Sequence, residues 1–217
     1  MKLQGTFVVV LSALLVLLPV VPAAGSSVAG QMTTRGVAEI NGVAAPALTS
    51  VFAGDRIATE KASTTSLSFP SGDSVVIPEL SKATLAEKDG KFVVKLEGGS
   101  ISVVSKSKTP IVIEALGARI QANTDTPAVY GVVLHGNSLR VVAARGSAHV
   151  EAADHAGNVQ PGTALDATFA PEPPQGGGGG WSTATWTWVA VGAAAAAGLG
   201  VGIYEATKGS SSSPSSQ

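Results

Sequence analysis

The sequence predicts an all-β domain, built as a twisted β-solenoid-like or thin sandwich fold, followed by one C-terminal transmembrane α-helix. Two observations predict the domain. From Arg35 to Thr168 apolar and polar residues alternate with period two, and Gly, Pro, Asn or Asp interrupts that alternation about every eight to twelve residues. No stretch between these limits holds a 3.6-residue apolar period. The helix is predicted by an uncharged run from Val189 to Ile203, flanked by Trp181, Trp186 and Trp188 on one side and by Tyr204, Glu205 and Lys208 on the other.

The strands follow in order. Ser66 to Phe69 alternates, Pro70-Ser71-Gly72-Asp73 turns, and Val75, Val76 and Ile77 resume. Lys88-Asp89-Gly90-Lys91 is a tight-turn signal, because Gly takes positive φ without steric cost. Phe92, Val94 and Leu96 alternate after it, and Ile101 and Val103 alternate after Gly98-Gly99. Later strands are expected at Ile111 to Ile113, Arg119 to Ala122, Val129 to Leu134, Leu139 to Ala143 and Ala148 to Ala152, with turns at His135-Gly136-Asn137 and Arg145-Gly146. Their core residues are mostly Val, Ile, Leu and Ala, which suit closely spaced layers. The texture repeats loosely and without a fixed period.

The two ends carry different instructions. Residues 1–29 read as a signal peptide: Lys2 is the positive start, Phe7 to Val21 the apolar stretch, and cleavage would follow Ala23 or Ala29. An uncleaved N-terminal anchor is the alternative, although the apolar run is shorter than the roughly 20 residues a span needs. Residues 169–180 read as a Pro/Gly-rich linker, with Pro171, Pro173 and Pro174 ahead of Gly176 to Gly180. The transmembrane helix is expected over 186–204 and a Ser-rich disordered tail over 205–217. The Ala/Gly content of the span makes its hydrophobicity marginal, so a soluble glycine-rich tail is the competing reading. Gly192 with Ala196, and Gly198 with Gly202, have the spacing that lets helix backbones approach, which allows a homo-oligomer.

Charge and cysteine content narrow the functional classes. Formal net charge is −1, and residues 30–175 carry 12 Lys and Arg against 14 Asp and Glu with no block of like charge, so no basic stripe for nucleic acid is present. With 0 Cys, the chain has neither disulfides nor a thiolate metal site nor a Cys nucleophile.

Three segments resemble the start of the FecR domain. They are Gly42 to Leu48, then Phe52-Ala53-Gly54-Asp55-Arg56-Ile57-Ala58-Thr59, then Ser66 to Ile77, including Gly72. That family shows a Gly-Asp-x-Ile-x-Thr segment followed by an alternating strand, a Gly turn and a second apolar strand. Leu96 to Val103, with Gly98, resembles an internal strand of the family; Val141 to Val150, with Gly146, resembles its closing strand; and Val159 to Gly162 resembles its terminal turn. The resemblance covers about 32–168 and implies an extracytoplasmic, twisted, solenoid-like β domain of the bacterial cell envelope. Signalling members place a cytoplasmic helical domain that restrains a sigma factor first, then the membrane helix, then the FecR domain. Here the expected order is reversed, so sigma-factor control is not implied.

Residue chemistry adds little beyond this. Gly54, Asp55 and Ile57 read as turn, backbone acceptor and core re-entry, and Arg56 is expected to pair with Asp55 or Glu60. His135, His149 and His155 have no metal-site spacing. Ser105 to Lys108 formally contains Ser-x-x-Lys, without the companion motifs of an acylase. Asp154 or Asp166 would need a second carboxylate for glycoside chemistry. The sequence therefore predicts no enzyme, catalytic residue, cofactor or metal. It predicts a noncatalytic module at the inner membrane, periplasmic or extracellular, that meets an envelope protein. A structural or glycan-binding envelope protein is the alternative, and a small carbohydrate-active enzyme a more distant one.

Overall fold

A computed structural model describes residues 28–106, 108–123, 126–153, 155–170 and 185–191. The described residues contain only strands and turns. In chain order the strands are β1 (Val28–Arg35), β2 (Ala38–Ile40), β3 (Val43–Ala44), β4 (Leu48–Phe52), β5 (Arg56–Thr59), β6 (Thr64–Ser68), β7 (Ser74–Ile77), β8 (Lys82–Lys88) and β9 (Lys91–Ser105). They continue as β10 (Val112–Ala115), β11 (Ala118–Ala122), β12 (Ala128–His135), β13 (Ser138–Arg145), β14 (Ala148–Ala152), β15 (His155–Val159), β16 (Ala164–Ala170) and β17 (Thr185–Val191).

Pairing sorts them into two layers. The first runs β4-β1-β6-β7-β9-β12-β13-β16-β17. The second runs β3-β2-β5-β8-β9-β10-β11-β14-β15. Among the described strands only the β9–β10 pair is parallel. The chain passes back and forth between the layers, mostly a hairpin at a time, so its path winds like an irregular solenoid while its cross-section is a thin sandwich. Both layers contribute to one core, which includes Met32, Leu67, Val75, Val103 and Tyr130 from the first and Ile57, Leu85, Val94, Ile113, Ile120 and Val150 from the second. Burying such aliphatic side chains is worth about 1.5–3 kcal/mol each.

Strand β9 holds the layers together. Phe92, Val94 and Leu96 face the core in its first half, and Ile101 and Val103 do so in its second, so the inward parity changes across Gly98-Gly99. A period-two strand cannot change parity without an irregularity. Gly99 provides it at φ 84°, with its Cα side packed so closely that an added Cβ would lie 2.4 Å from Ser81 Oγ and 2.7 Å from the Leu80 carbonyl oxygen. The Gly-Gly pair is therefore a crossover inside one continuous strand.

The ends differ from the sequence expectation. Strand β1 starts at Val28, two residues inside the expected signal segment 1–29, and Ala29 is fully buried in the core. Cleavage after Ala23 leaves β1 whole, whereas cleavage after Ala29 would remove a core residue. The domain also runs beyond 168, because β16 reaches Ala170 in what was expected to be linker. Residues 186–191, the start of the expected helix, lie in β17, where their backbone groups bond to β16 instead of forming helical turns. Alternating Thr, Trp, Val and Ala suits that pairing, since β-branched and aromatic residues favour strands. The remainder of that span, 192–204, with Gly192, Ala196, Gly198 and Gly202, lies outside the described residues. So do residues 1–27, the linker residues 171–180 and the tail. Among the described residues no helix is long and apolar enough to cross a membrane.

Candidate functional site

The family-like residues build the fold's corner between β4, β5 and β8. Gly54 N–H donates to the Leu85 carbonyl at 2.8 Å, and Leu85 N–H donates to the Asp55 carbonyl at 2.8 Å. Asp55 accepts from Phe52 N–H and from Asn41 Nδ2, both at 2.8 Å, while Asn41 Oδ1 accepts from Arg56 N–H at 2.9 Å. The Asp55 and Asn41 side chains thus bond to the turn's own backbone and to each other. Ile57 points the other way and is fully buried. The Thr59 hydroxyl donates to the Pro78 carbonyl and accepts from Ser81 N–H at 3.1 Å, fixing the β7–β8 connection. Gly72 closes the turn after Phe69 with a 3.0 Å bond to its carbonyl. Gly98 is unconstrained, its Cβ direction open, and its neighbour Gly99 is the demanding one. Gly146, at φ 63°, lies against Pro127 and Ala128, where an added Cβ would sit 2.6 Å from the Pro127 oxygen.

Arg56 departs from its expected partners. It bonds and ion-pairs with Glu97, because both project from the outer face of the second layer, while Asp55 is turned back to the Phe52 and Asn41 backbone and side chain. Thr84 completes the group with a 2.6 Å bond to Glu97. The hydrogen bond from Thr84, then that from Arg56, holds the Glu97 carboxyl below its ordinary value of 4.5, against a small opposing effect of burial.

A second polar cluster sits inside, where β7 meets the end of β9. Asp73 is almost completely buried and accepts from Lys106 N–H at 2.8 Å, Ser71 Oγ at 3.1 Å and Ser105 Oγ at 3.3 Å. Ser105, the first residue of the formal Ser-x-x-Lys, is thereby a hydrogen-bond donor to a structural carboxylate. Burial, and secondarily the Asp73 charge, pushes the Tyr130 phenol far above its ordinary range. The Tyr130 hydroxyl is buried without a hydrogen-bond partner among the described residues.

The polar groups left over from folding gather on the outer face of the second layer. Register aligns Arg56, Thr84, Lys95, Glu114, Arg119 and Glu151 in one row across β5, β8, β9, β10, β11 and β14. The next row holds Gln121, His149 and Asn158, with His149 Nδ1 2.9 Å from Asn158 Oδ1. Two adjoining shallow depressions of about 210 and 230 Å³ share Gln121 and His149. Lys91, Arg119 and Glu151 line the first, and Ala122, Asn123 and Asn158 line the second. Arg119 Nε is 3.9 Å from Glu114 Oε1, a loose and half-exposed pair that competes weakly with a ligand. The row carries both signs, with Glu114 between Lys95 and Arg119 and Glu151 beyond, which matches a partner with mixed polarity better than a polyanion.

Of the three histidines, only His149 lies in this face; His135 and His155 are exposed elsewhere. Asp166 is on the opposite layer and pairs with Arg140 at 3.5 Å, and Asp154 lies outside the described residues. Among the described residues no three His, Asp or Glu side chains group as metal ligands. Sequence reading did not assemble Lys91, Arg119, Gln121, Glu151 and Asn158, because β11 pairs with β14 and not with its sequence neighbour β12.

No protein-family model matches the chain, and no curated protein matches it. Among solved structures it is similar to two crystal structures of a candidate anti-sigma factor from Parabacteroides distasonis ATCC 8503, at 12% and 10% identity with TM-scores of 0.45 and 0.46. Each alignment covers 64% of this chain and 60% of that chain. The chain thus spans about 60% of the length of those structures, and likeness at this level transfers no activity or partner.

Proposed function

We propose that the chain is a noncatalytic extracytoplasmic module of the FecR type, which binds a protein of the bacterial cell envelope through the outer face of its second layer. The observation that supports this reading is the division of polar groups: the motif residues Gly54 to Thr59 and the buried Asp73 are matched within the fold, whereas Lys91, Arg119, Gln121, His149 and Glu151 stand together and open to solvent. The depressions are shallow and lined mainly by polar side chains rather than the apolar walls of a small-molecule pocket, so a broad, polar macromolecular contact fits them better. Delivery is by the signal segment with cleavage after Ala23; a membrane tether through 186–204 requires residues 186–191 to leave β16, because the 12 residues Gly192 to Ile203 are fewer than the roughly 20 that a helical span needs.

A photo-crosslinking amino acid at Gln121, in intact cells, tests the face. The reading predicts a discrete protein adduct that is lost when Arg119→Glu is added. Label transferred to insoluble glycan instead would favour a structural, glycan-binding role, and turnover of a carbohydrate substrate would overturn the noncatalytic reading. Carbonate extraction tests the tether separately: release of the intact chain into the soluble fraction would remove it.

A further inference from the structure

The strand β17 belongs to the sandwich in an unusual way. Its register with β16 runs unbroken from Ala164 opposite Val191 to Ala170 opposite Thr185, yet it pairs with no other described strand. Residues 171–184 lie between the two facing ends, Ala170 and Thr185. Adjacent antiparallel strands need only about two to five connecting residues. A turn therefore does not dictate this pairing, and β16 selects residues 185–191 as a strand in its own right. Without β17, β16 is a complete edge: Ala167, Leu165 and Phe169 pack on the core, and β13 holds its other side through Ser138 to Val142. Such an edge offers an ordered row of N–H and C=O groups to any extended segment of suitable pattern. Thr187 and Val189 of β17 are themselves exposed, Val189 at 55%.

We infer that β16 is a strand-accepting edge whose occupant is exchangeable, and that residues 185–191 of a second copy of this chain take the place of the chain's own β17. Both arrangements make the same backbone bonds and the same cross-strand pairs, so contact energy does not separate them. The difference is effective concentration, which for a short tether is on the order of millimolar. The connection 171–184 spans at most about 3.3–3.6 Å per residue, enough to reach a neighbouring β16 edge. Reciprocal exchange closes a two-fold dimer, and one-way exchange extends a chain of copies.

Because the protein has 0 Cys, engineered thiols report the pairing directly. Thr168 and Thr187 face each other across β16 and β17 and are both exposed, so Thr168→Cys and Thr187→Cys leave the core untouched. In the full chain, the double variant should oxidise within one molecule at low concentration. A mixture of the two single variants should form the mixed disulfide dimer, rising with concentration and about tenfold above a mixture of Thr187→Cys with Gln31→Cys, whose site is far from that edge. Closure of the double variant with no mixed dimer above that control would overturn exchange. Failure of the double variant to close would overturn the β16–β17 pairing itself. Dominant Thr187–Thr187 linkage would point to association through the residues after β17, and would equally overturn the proposal.

Discussion

The β4–β5 corner and the outer face of β9, β11 and β14 are both polar. In the corner, Asp55, Asn41 and Thr59 hydrogen-bond to groups of the fold itself. On the outer face, Lys91, Gln121 and Glu151 lie side by side because register places them there, and the fold asks little of them. The difference teaches that a recognisable motif marks where the fold is decided. The surface proposed to meet a partner carries no such motif.

Substitutions separate the two kinds of position. The largest effect is expected where backbone geometry and space coincide: Gly146→Ala or Gly99→Ala places a Cβ within 2.7 Å of backbone oxygen at positive φ, and should cost about 3 kcal/mol or more in urea unfolding. Gly98→Ala, one residue away with open space around its Cβ direction, should be close to neutral in the same assay. If Gly98 proved the costlier of the pair, the crossover assigned to Gly99 would be wrong.

Next comes the interior cluster. Asp73→Ala leaves Lys106 N–H and two serine hydroxyls without their acceptor and should cost about 2–4 kcal/mol in chemical denaturation. Tyr130→Phe, by contrast, removes a buried hydroxyl that has no partner among the described residues, and should hold or raise stability by up to about 1 kcal/mol. A marked loss of Tm in that variant would mean the hydroxyl is matched after all.

The smallest effect belongs to the surface network at Glu97. Its carboxyl titrates below the ordinary 4.5 when folded, so its stabilising contribution is present above that pH and is lost as pH falls through the folded value. Glu97→Gln should therefore cost no more than about 1 kcal/mol at neutral pH, and the gap from the parent should close in acid, as followed by thermal melts across pH. A gap that widened in acid would reverse the sign of this account.

Much of the fold was legible because strand periodicity and turn chemistry are local. The Ala148–Ala152 strand, the Asp89-Gly90 turn and the alternation of Phe92, Val94 and Leu96 all follow from neighbouring residues. The parity change at Gly98-Gly99 was not legible, because a crossover inside one strand and a break between two strands have the same local composition. Thr185 to Val191 was ambiguous for a related reason: a Trp-flanked apolar segment satisfies its backbone equally by helix or by pairing, and only the β16 edge decides. The candidate face was not legible at all, since Arg119, His149 and Asn158 become neighbours through pairings of β11 with β14 and of β14 with β15.

The most direct test of the division between fold-building and partner-facing polar groups is a paired measurement on Arg119→Glu: its melting temperature, and its yield of the Gln121 photo-adduct in cells. The account predicts an unchanged melting temperature with the adduct abolished. A variant that melts like the parent and still gives the full adduct would show that the outer face of the second layer is not where the partner binds.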